Sequence, residues 1–219
     1  MSEKLKWHTV SDTLAENLRR LMKIRELSDF RLVGGTSLSL QLGHRKSFDI
    51  DMFTNAVYGS VNFSKIDSLL RTHFKYVSED HTGDMSNGLM CMVGNSYADA
   101  VKLDLFYSDH FINEIVEIDG IRMASIEDIT AMKLEVISSD GRKRDFWDIH
   151  ELIEVYSINR LLDIYKERNP YLEVEKVIAG LTNFERADQE DNPVCLKGKY
   201  WELVKYDFEE IVKEYKASL

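Results

Sequence analysis

"FRLVGGTSLSLQLGHRKSFDIDMF", residues 30–53, carries the pattern that decides the fold. An apolar strand-like start runs into Gly34-Gly35. A short helix-like stretch follows and stops at Gly43, and after it come Asp49-Ile50-Asp51-Met52. "SFDIDMF" alternates acid with apolar residue, the period of a β-strand. In an extended chain Asp49 and Asp51 point to one face and Ile50 and Met52 to the core. Two carboxylates roughly 7 Å apart on one strand face repel each other unless something positive sits with them.

Divalent magnesium is held by one or two carboxylates, with substrate phosphate oxygens and water completing its shell. The glycine pair supplies a second half of such a site. It permits a tight turn and close backbone approach, and the helix that follows aims unpaired N–H groups outward, with the Thr36 and Ser37 hydroxyls as further donors. Taken singly, an acid alternation is ordinary surface strand and a Gly-Gly turn is ordinary structure. Side by side they describe a phosphate cradle next to a cation site.

A third acid joins them. In "AVKLDLFY", Val101, Leu103 and Leu105 share one face, and Lys102, Asp104 and Phe106 share the other. Asp104 either stands beside Asp49 and Asp51 or is a solvent-exposed acid opposite the apolar stripe. Two metals bridged by three carboxylates would stabilise the attacking and leaving oxygens of a phosphoryl displacement.

The rest of the chain is read around this site. Ser11 opens a helix with Leu14, Leu18 and Leu21 on one stripe. "FSKIDSLLRTHF" is amphipathic helix, and "KYVSE", "LMCMVGN" and "AVKLDLFY" are strands. "EIVEIDGIRMAS" is a hairpin turning at Asp119-Gly120. From Ser125, which with Asp128 forms a helix-start signal, the pattern becomes helical through "WELVKYDFEEIVKEYKAS", with "TNFERADQEDNPVCLKGK" as polar loop. The expected fold class is α+β: a mixed-sheet domain over residues 1–123, then a helical domain over 124–219 that completes the active-site cleft.

Composition sets the bounds. Of 219 residues, 28 are basic and 38 acidic, a net charge of −10 that disfavours unspecific duplex DNA binding. Local basic clusters remain, at Arg19, Arg20, Lys23 and Arg25, at Arg45 and Lys46, and at Arg142, Lys143 and Arg144. No apolar run is long enough to cross a bilayer, and "MSEKLKWHTV" lacks the apolar core of a signal peptide. Cys91 and Cys195 make neither a disulfide framework nor a zinc cluster, which points to a cytoplasmic protein with ordinary thiols. His8, His44, His73, His81, His110 and His150 show no metal-ligand spacing, although His44 stands where it could touch a nucleotide. Neither a Walker-type nor a dinucleotide-binding glycine motif is present.

Further along, Lys133 lies on the apolar stripe of its helix with Ile126, Ile129 and Ile137, so it either snorkels outward or meets a buried anion. Asp145 and Asp148 share one side of the next helix, and Asp148 is spaced for a pair with Arg144. Arg45 is either a surface turn residue or a guanidinium that neutralises phosphate charge in a transition state.

Gly34-Gly35, thirteen intervening residues and Asp49-Ile50-Asp51-Met52, followed by an acid on a later strand, resemble the DNA polymerase β-like nucleotidyltransferase superfamily. More closely, "GGTSLSLQLGHRKSFDIDMF", then "KLDLF", then "MKLEVISSDGRKRDFWDIHEL" resemble, in order, the AbiEii/AbiGii toxin nucleotidyltransferases, over about residues 10–215. The resemblance implies that Asp49 and Asp51 bind Mg²⁺, with Asp104 as third metal acid and general base. It further implies that Gly34, Gly35, Thr36, Ser37, Arg45 and Ser47 bind the nucleotide, that Lys133 contacts its phosphates, and that Asp148, or else Asp145, is the acid of the last motif. It implies a two-metal reaction moving a nucleoside monophosphate from an NTP to a hydroxyl, with RNA (the tRNA 3′ end) as acceptor and a cognate antitoxin as partner. The same superfamily offers adenylylation of a small molecule such as an aminoglycoside, which an acidic protein would suit, and a nucleotide-binding module without catalysis is a third reading.

Overall fold

The structure, a computed structural model, describes residues 4–79 and 86–219; His81 lies outside them. The chain forms two compact units. One comprises residues 1–42 and 47–124, and the other residues 43–46 and 125–219. The second unit therefore begins one residue later than the sequence suggests, and it also takes a tetrapeptide from within the first. The cause is electrostatic: His44 and Arg45 in that tetrapeptide pair with Asp148 of the helical unit.

In the first unit the elements run α1 (Asp12–Leu21), β1 (Arg31–Leu32), α2 (Gly34–Leu42), β2 (Ile50–Thr54), α3 (Phe63–His73), β3 (Tyr76–Val77), β4 (Gly88–Gly94), β5 (Val101–Tyr107), β6 (Val116–Ile118) and β7 (Ile121–Met123). Among the described residues the sheet has seven strands in the order β3-β4-β5-β2-β1-β7-β6. It is mixed: β2 runs parallel to β5 and antiparallel to β1, and β5 is antiparallel to β4. The period-2 pattern behaves as expected, with Ile50, Met52, Leu103 and Leu105 all fully buried. Leu14, Leu18 and Leu21 of α1 and Phe63, Ile66 and Leu70 of α3 pack in the same core. Each such side chain contributes about 1.5–3 kcal/mol by leaving water. Ser11 caps α1 by accepting from the Leu14 N–H. Asp119 and Gly120 turn the β6–β7 hairpin with φ of 54° and 75°, the left-handed pair that an Asp-Gly turn requires.

The second unit holds α4 (Ile126–Asp140), α5 (Lys143–Leu152), α6 (Ile158–Arg168), α7 (Val174–Gly180) and α8 (Trp201–Ala217). Ser125 caps α4 by accepting from the Asp128 N–H, and Gly141 ends it. Phe146 and Trp147 of α5 pack on Trp201 and Phe208 of α8, at ring separations of 5.8 Å for Phe146–Trp201, 6.2 Å for Trp147–Trp201 and 5.7 Å for Phe146–Phe208. All four aromatics are buried core. The segment 182–199, by contrast, is more than polar loop. It contains a 3₁₀ turn at Ala187–Gln189, and Cys195 forms a β-bridge to Arg45. That bridge is flanked by Lys46 N–H to Val194 O and Leu196 N–H to His44 O, both 2.9 Å.

Candidate functional site

In the first unit, parallel pairing of β2 and β5 sets Asp51 directly opposite Asp104. The two acids thus share one face of the sheet on adjacent strands, and Asp49 precedes β2 by one residue. Asp104 is held asymmetrically. Its Oδ2 accepts from Lys102 Nζ at 2.5 Å, whereas its Oδ1 is buried with no hydrogen-bond partner. Partial desolvation pulls the Lys102 pKa down. The hydrogen bond that Lys102 donates to Asp104 and the charges of Asp104, Asp51 and Asp49 together outweigh it, and the net shift is upward.

The glycine corner meets this pair. Gly34 opens α2 with φ of 66°, and a Cβ built on it would lie 2.7 Å from Asp51 Oδ2. Only glycine allows the backbone to pass this close to the acid while turning left-handed. The N–H groups in the first turn of α2 have no partner four residues back within the helix.

The hydroxyls that follow are arranged otherwise than a phosphate cradle requires. Thr36 is 1% exposed; its Oγ1 lies 2.5 Å from Asp49 O and 2.8 Å from Ser47 Oγ. A carbonyl only accepts, so Thr36 donates to Asp49 O and accepts from Ser47. Ser37 is fully buried and accepts from Gln41 Nε2 at 3.2 Å. Thr36 and Ser47 therefore fix the backbone of Asp49. The expected phosphate-donor hydroxyls of Thr36 and Ser37, and the Ser47 hydroxyl expected at the nucleotide, are bonded within the protein instead.

In the second unit the predicted residues form a buried ion cluster. Arg45 Nε and Nη2 donate to Asp148 Oδ1 and Oδ2 at 2.6 and 2.8 Å, and His44 Nε2 lies 2.7 Å from Oδ1. Lys133 Nζ reaches Asp145 Oδ1 at 2.5 Å and Asp148 Oδ2 at 2.9 Å. All of these residues are buried. Burial by itself would raise the Asp148 carboxyl; the Arg45 and Lys133 charges and the His44 hydrogen bond outweigh it and hold the group well below the usual carboxylate range.

The anion that Lys133 meets on its apolar stripe is thus a pair of carboxylates. Arg45 is neither a surface turn residue nor set on a phosphate, but the bidentate partner of Asp148. His44 is buried on that same carboxylate rather than presented to a nucleotide. Asp148, fully buried, pairs with Arg45 and Lys133.

A family profile described as nucleotidyl transferase AbiEii toxin, type IV toxin–antitoxin system, matches residues 17–201. The chain belongs to this family. An uncharacterised protein of Aquifex aeolicus is 30% identical to this AbiEii chain over 208 residues, covering 91% of it and 94% of the relative. Two solved structures share the fold. A crystal structure described as that of a nucleotidyltransferase from H. pylori has a TM-score of 0.55 at 21% identity, covering 93% of this chain and 94% of that one. MenT4, a nucleotidyltransferase toxin of Mycobacterium tuberculosis, has a TM-score of 0.52 at 13% identity, covering 91% and 82%. The AbiEii chain is accordingly a nucleotidyltransferase with the α+β nucleotidyltransferase fold.

Among the described residues, no group of three or more His, Cys, Asp or Glu side chains is gathered closely enough to hold a metal ion. The expected three-carboxylate, two-metal cage is therefore not built by the protein alone. The Asp51–Asp104 pair nonetheless fits a hard cation: oxygen donors on adjacent strands, one of them a buried oxygen lacking any partner, beside a corner where a side chain would clash. Magnesium needs no more protein ligands than this when phosphate oxygens supply the rest.

No helix of the described residues is long and apolar enough to cross a membrane. Burial pushes the Cys91 thiol up to about 12, which keeps it protonated and unreactive. Two features escaped the sequence reading: the amine of Lys102 on Asp104 and the Thr36 hydroxyl on Asp49. The same-face position of Lys102, two residues before an acid, was the available signal for the first.

Proposed function

We propose that this AbiEii chain moves a nucleoside monophosphate from an NTP to a hydroxyl of RNA, at the 3′ end of a tRNA, in a Mg²⁺-dependent reaction, as a toxin restrained by a cognate antitoxin. The observation that carries the reading is the register pairing of Asp51 with Asp104 beside the Gly34 corner.

Asp51 and Asp104, with Asp49 next to them, would hold Mg²⁺, and the backbone N–H groups at Gly34 and Gly35 would receive phosphate oxygens. When bound, Mg²⁺ neutralises charge developing on the phosphoryl oxygens. The acceptor oxygen attacks the α-phosphorus, the bond to the bridging oxygen breaks, and pyrophosphate leaves. Asp104, whose Oδ1 has no hydrogen-bond partner within the protein, takes the proton from the acceptor hydroxyl. Thr36 holds the Asp49 backbone in place through its hydroxyl. In the helical unit, Asp148 acts by fixing Arg45 and Lys133, a positioning role for the acid of the last motif.

The test incubates the protein with each labelled NTP, Mg²⁺ and total RNA, then repeats the assay with Asp51→Asn and Asp104→Asn. Label should pass to RNA only with the unaltered protein, while both variants keep its circular dichroism and cooperative unfolding. Undiminished transfer by Asp51→Asn would remove the reading. Transfer to an aminoglycoside but to no RNA would replace the acceptor.

A further inference from the structure

Lys102 lies two residues before Asp104 on β5, on the same side of the sheet. Its Nζ is 2.5 Å from Asp104 Oδ2, and Asp51 stands opposite Asp104 in register. Asp49 and Asp51 also both act electrostatically on its ammonium. Three carboxylates thus share the surroundings of one fixed cation.

An ordinary surface ion pair does not have this form. The Asp104 side chain is 14% exposed although that of Lys102 is 46% exposed, and the pair engages one carboxylate oxygen while the other is left buried without a partner. Exposed pairs contribute little to stability, so a gain from the pair itself is a poor reason to place a lysine here. The distribution of charge supplies a better one. Without nucleotide, like-charged neighbours on adjacent strands need a counter-charge, and Lys102 is the one that the strand itself provides.

We propose that Lys102 is the resident counter-cation of this site, occupying Asp104 until a divalent ion displaces its ammonium. The inference rests on the metal reading of Asp51 and Asp104. Its consequence is that the ion is held weakly by the protein alone and firmly only when phosphate oxygens arrive with it. Lys102 is a positioning residue in this scheme: it orients the Asp104 carboxylate through one oxygen, then yields it.

The test needs no turnover. Mn²⁺, a paramagnetic stand-in for Mg²⁺, is titrated without nucleotide into the unaltered protein, Lys102→Met, Lys102→Arg and Asp51→Asn, and free Mn²⁺ is read by electron paramagnetic resonance. Removing a competing positive charge at contact distance should tighten Mn²⁺ binding by Lys102→Met about tenfold. Lys102→Arg should bind like the unaltered protein. In EDTA, Lys102→Met should unfold at a lower temperature than the unaltered protein, with Mn²⁺ closing the gap. If the methionine variant does not fold in EDTA, recovery of its fold by Mn²⁺ supports the same conclusion, and Lys102→Gln serves for the affinity measurement. Equal or weaker Mn²⁺ binding by both neutral variants, with binding lost in Asp51→Asn, overturns the role of Lys102 and leaves the metal reading standing. Binding that Asp51→Asn leaves unchanged, or that no protein shows, overturns both.

Discussion

Arg45 and Asp148 are 103 residues apart in sequence, yet two parallel hydrogen bonds of 2.6 and 2.8 Å join them in the interior of the helical unit. This is fork-to-fork geometry that lysine cannot reproduce. Asp148 also receives Lys133, so removal of Arg45 leaves a buried carboxylate with half its counter-charge. Breaking such a pair costs about 3–5 kcal/mol. Arg45→Met should lower the unfolding free energy by that order, measured by urea denaturation, and Arg45→Lys should recover only part of it. A cost below about 1 kcal/mol, the level of an exposed pair, would show that the cluster does not hold the helices together.

The same cluster sets an acid limit. Burial opposes ionisation of Asp145 and Asp148, but Lys133 and Arg142 at the first, and Arg45, Lys133 and His44 at the second, keep both pKa values depressed. When a folded-state pKa lies below the unfolded value of about 3.9, the unfolded chain takes up protons first. The stability that these acids supply is therefore complete above about pH 5 and is lost as pH falls through the folded values. Unfolding free energy measured against pH should drop steeply in acid for the unaltered protein and less steeply for Asp145→Asn. Identical slopes would contradict the assignment.

Gly34 and Gly120 separate two costs of adding a methyl group. Both have positive φ, 66° and 75°, but a Cβ at Gly34 would meet Asp51 Oδ2 at 2.7 Å, and one at Gly120 meets nothing within 4 Å. Gly120→Ala should cost about 1–2 kcal/mol, the left-handed penalty alone, with nucleotidyl transfer unaffected. Gly34→Ala should cost at least as much and also displace the Asp51 carboxylate, so transfer should fall by about a hundredfold. Parallel unfolding and label-transfer measurements on both variants decide the matter; equal loss of transfer in the two would show that contact with Asp51 is irrelevant.

Much of this was legible in the sequence, and the part that was not has a common cause. Alternation in "SFDIDMF" and "AVKLDLFY" gave the strands and their buried faces, and the Asp119-Gly120 turn and the Ser125 cap appeared where local chemistry requires them. Those signals act over a few residues. Partners chosen across the fold leave no local trace, so Arg45 read equally well as a phosphate ligand and as a surface turn residue, and its grip on Asp148 gave no sign. The glycine turn likewise drew Thr36 and Ser37 toward the phosphate and the resemblance drew Ser47 toward the nucleotide, although all three are buried and bonded within the protein.

That last difference can be measured. If Thr36 binds phosphate, Thr36→Val weakens NTP binding and raises KM. The geometry says instead that its hydroxyl donates to Asp49 O and accepts from Ser47, so valine, nearly the same shape, leaves a carbonyl and a hydroxyl short of a partner. The expected stability cost is about 1–3 kcal/mol. Because Asp49 loses its backbone anchor, kcat for nucleotidyl transfer should fall by about tenfold or more while KM for the NTP changes little. Thr36→Ser retains the hydroxyl and should preserve kcat. Steady-state kinetics on the two variants distinguish the roles: a rise in KM at constant kcat would return Thr36 to the phosphate, and a fall in kcat rescued by serine assigns it to holding Asp49.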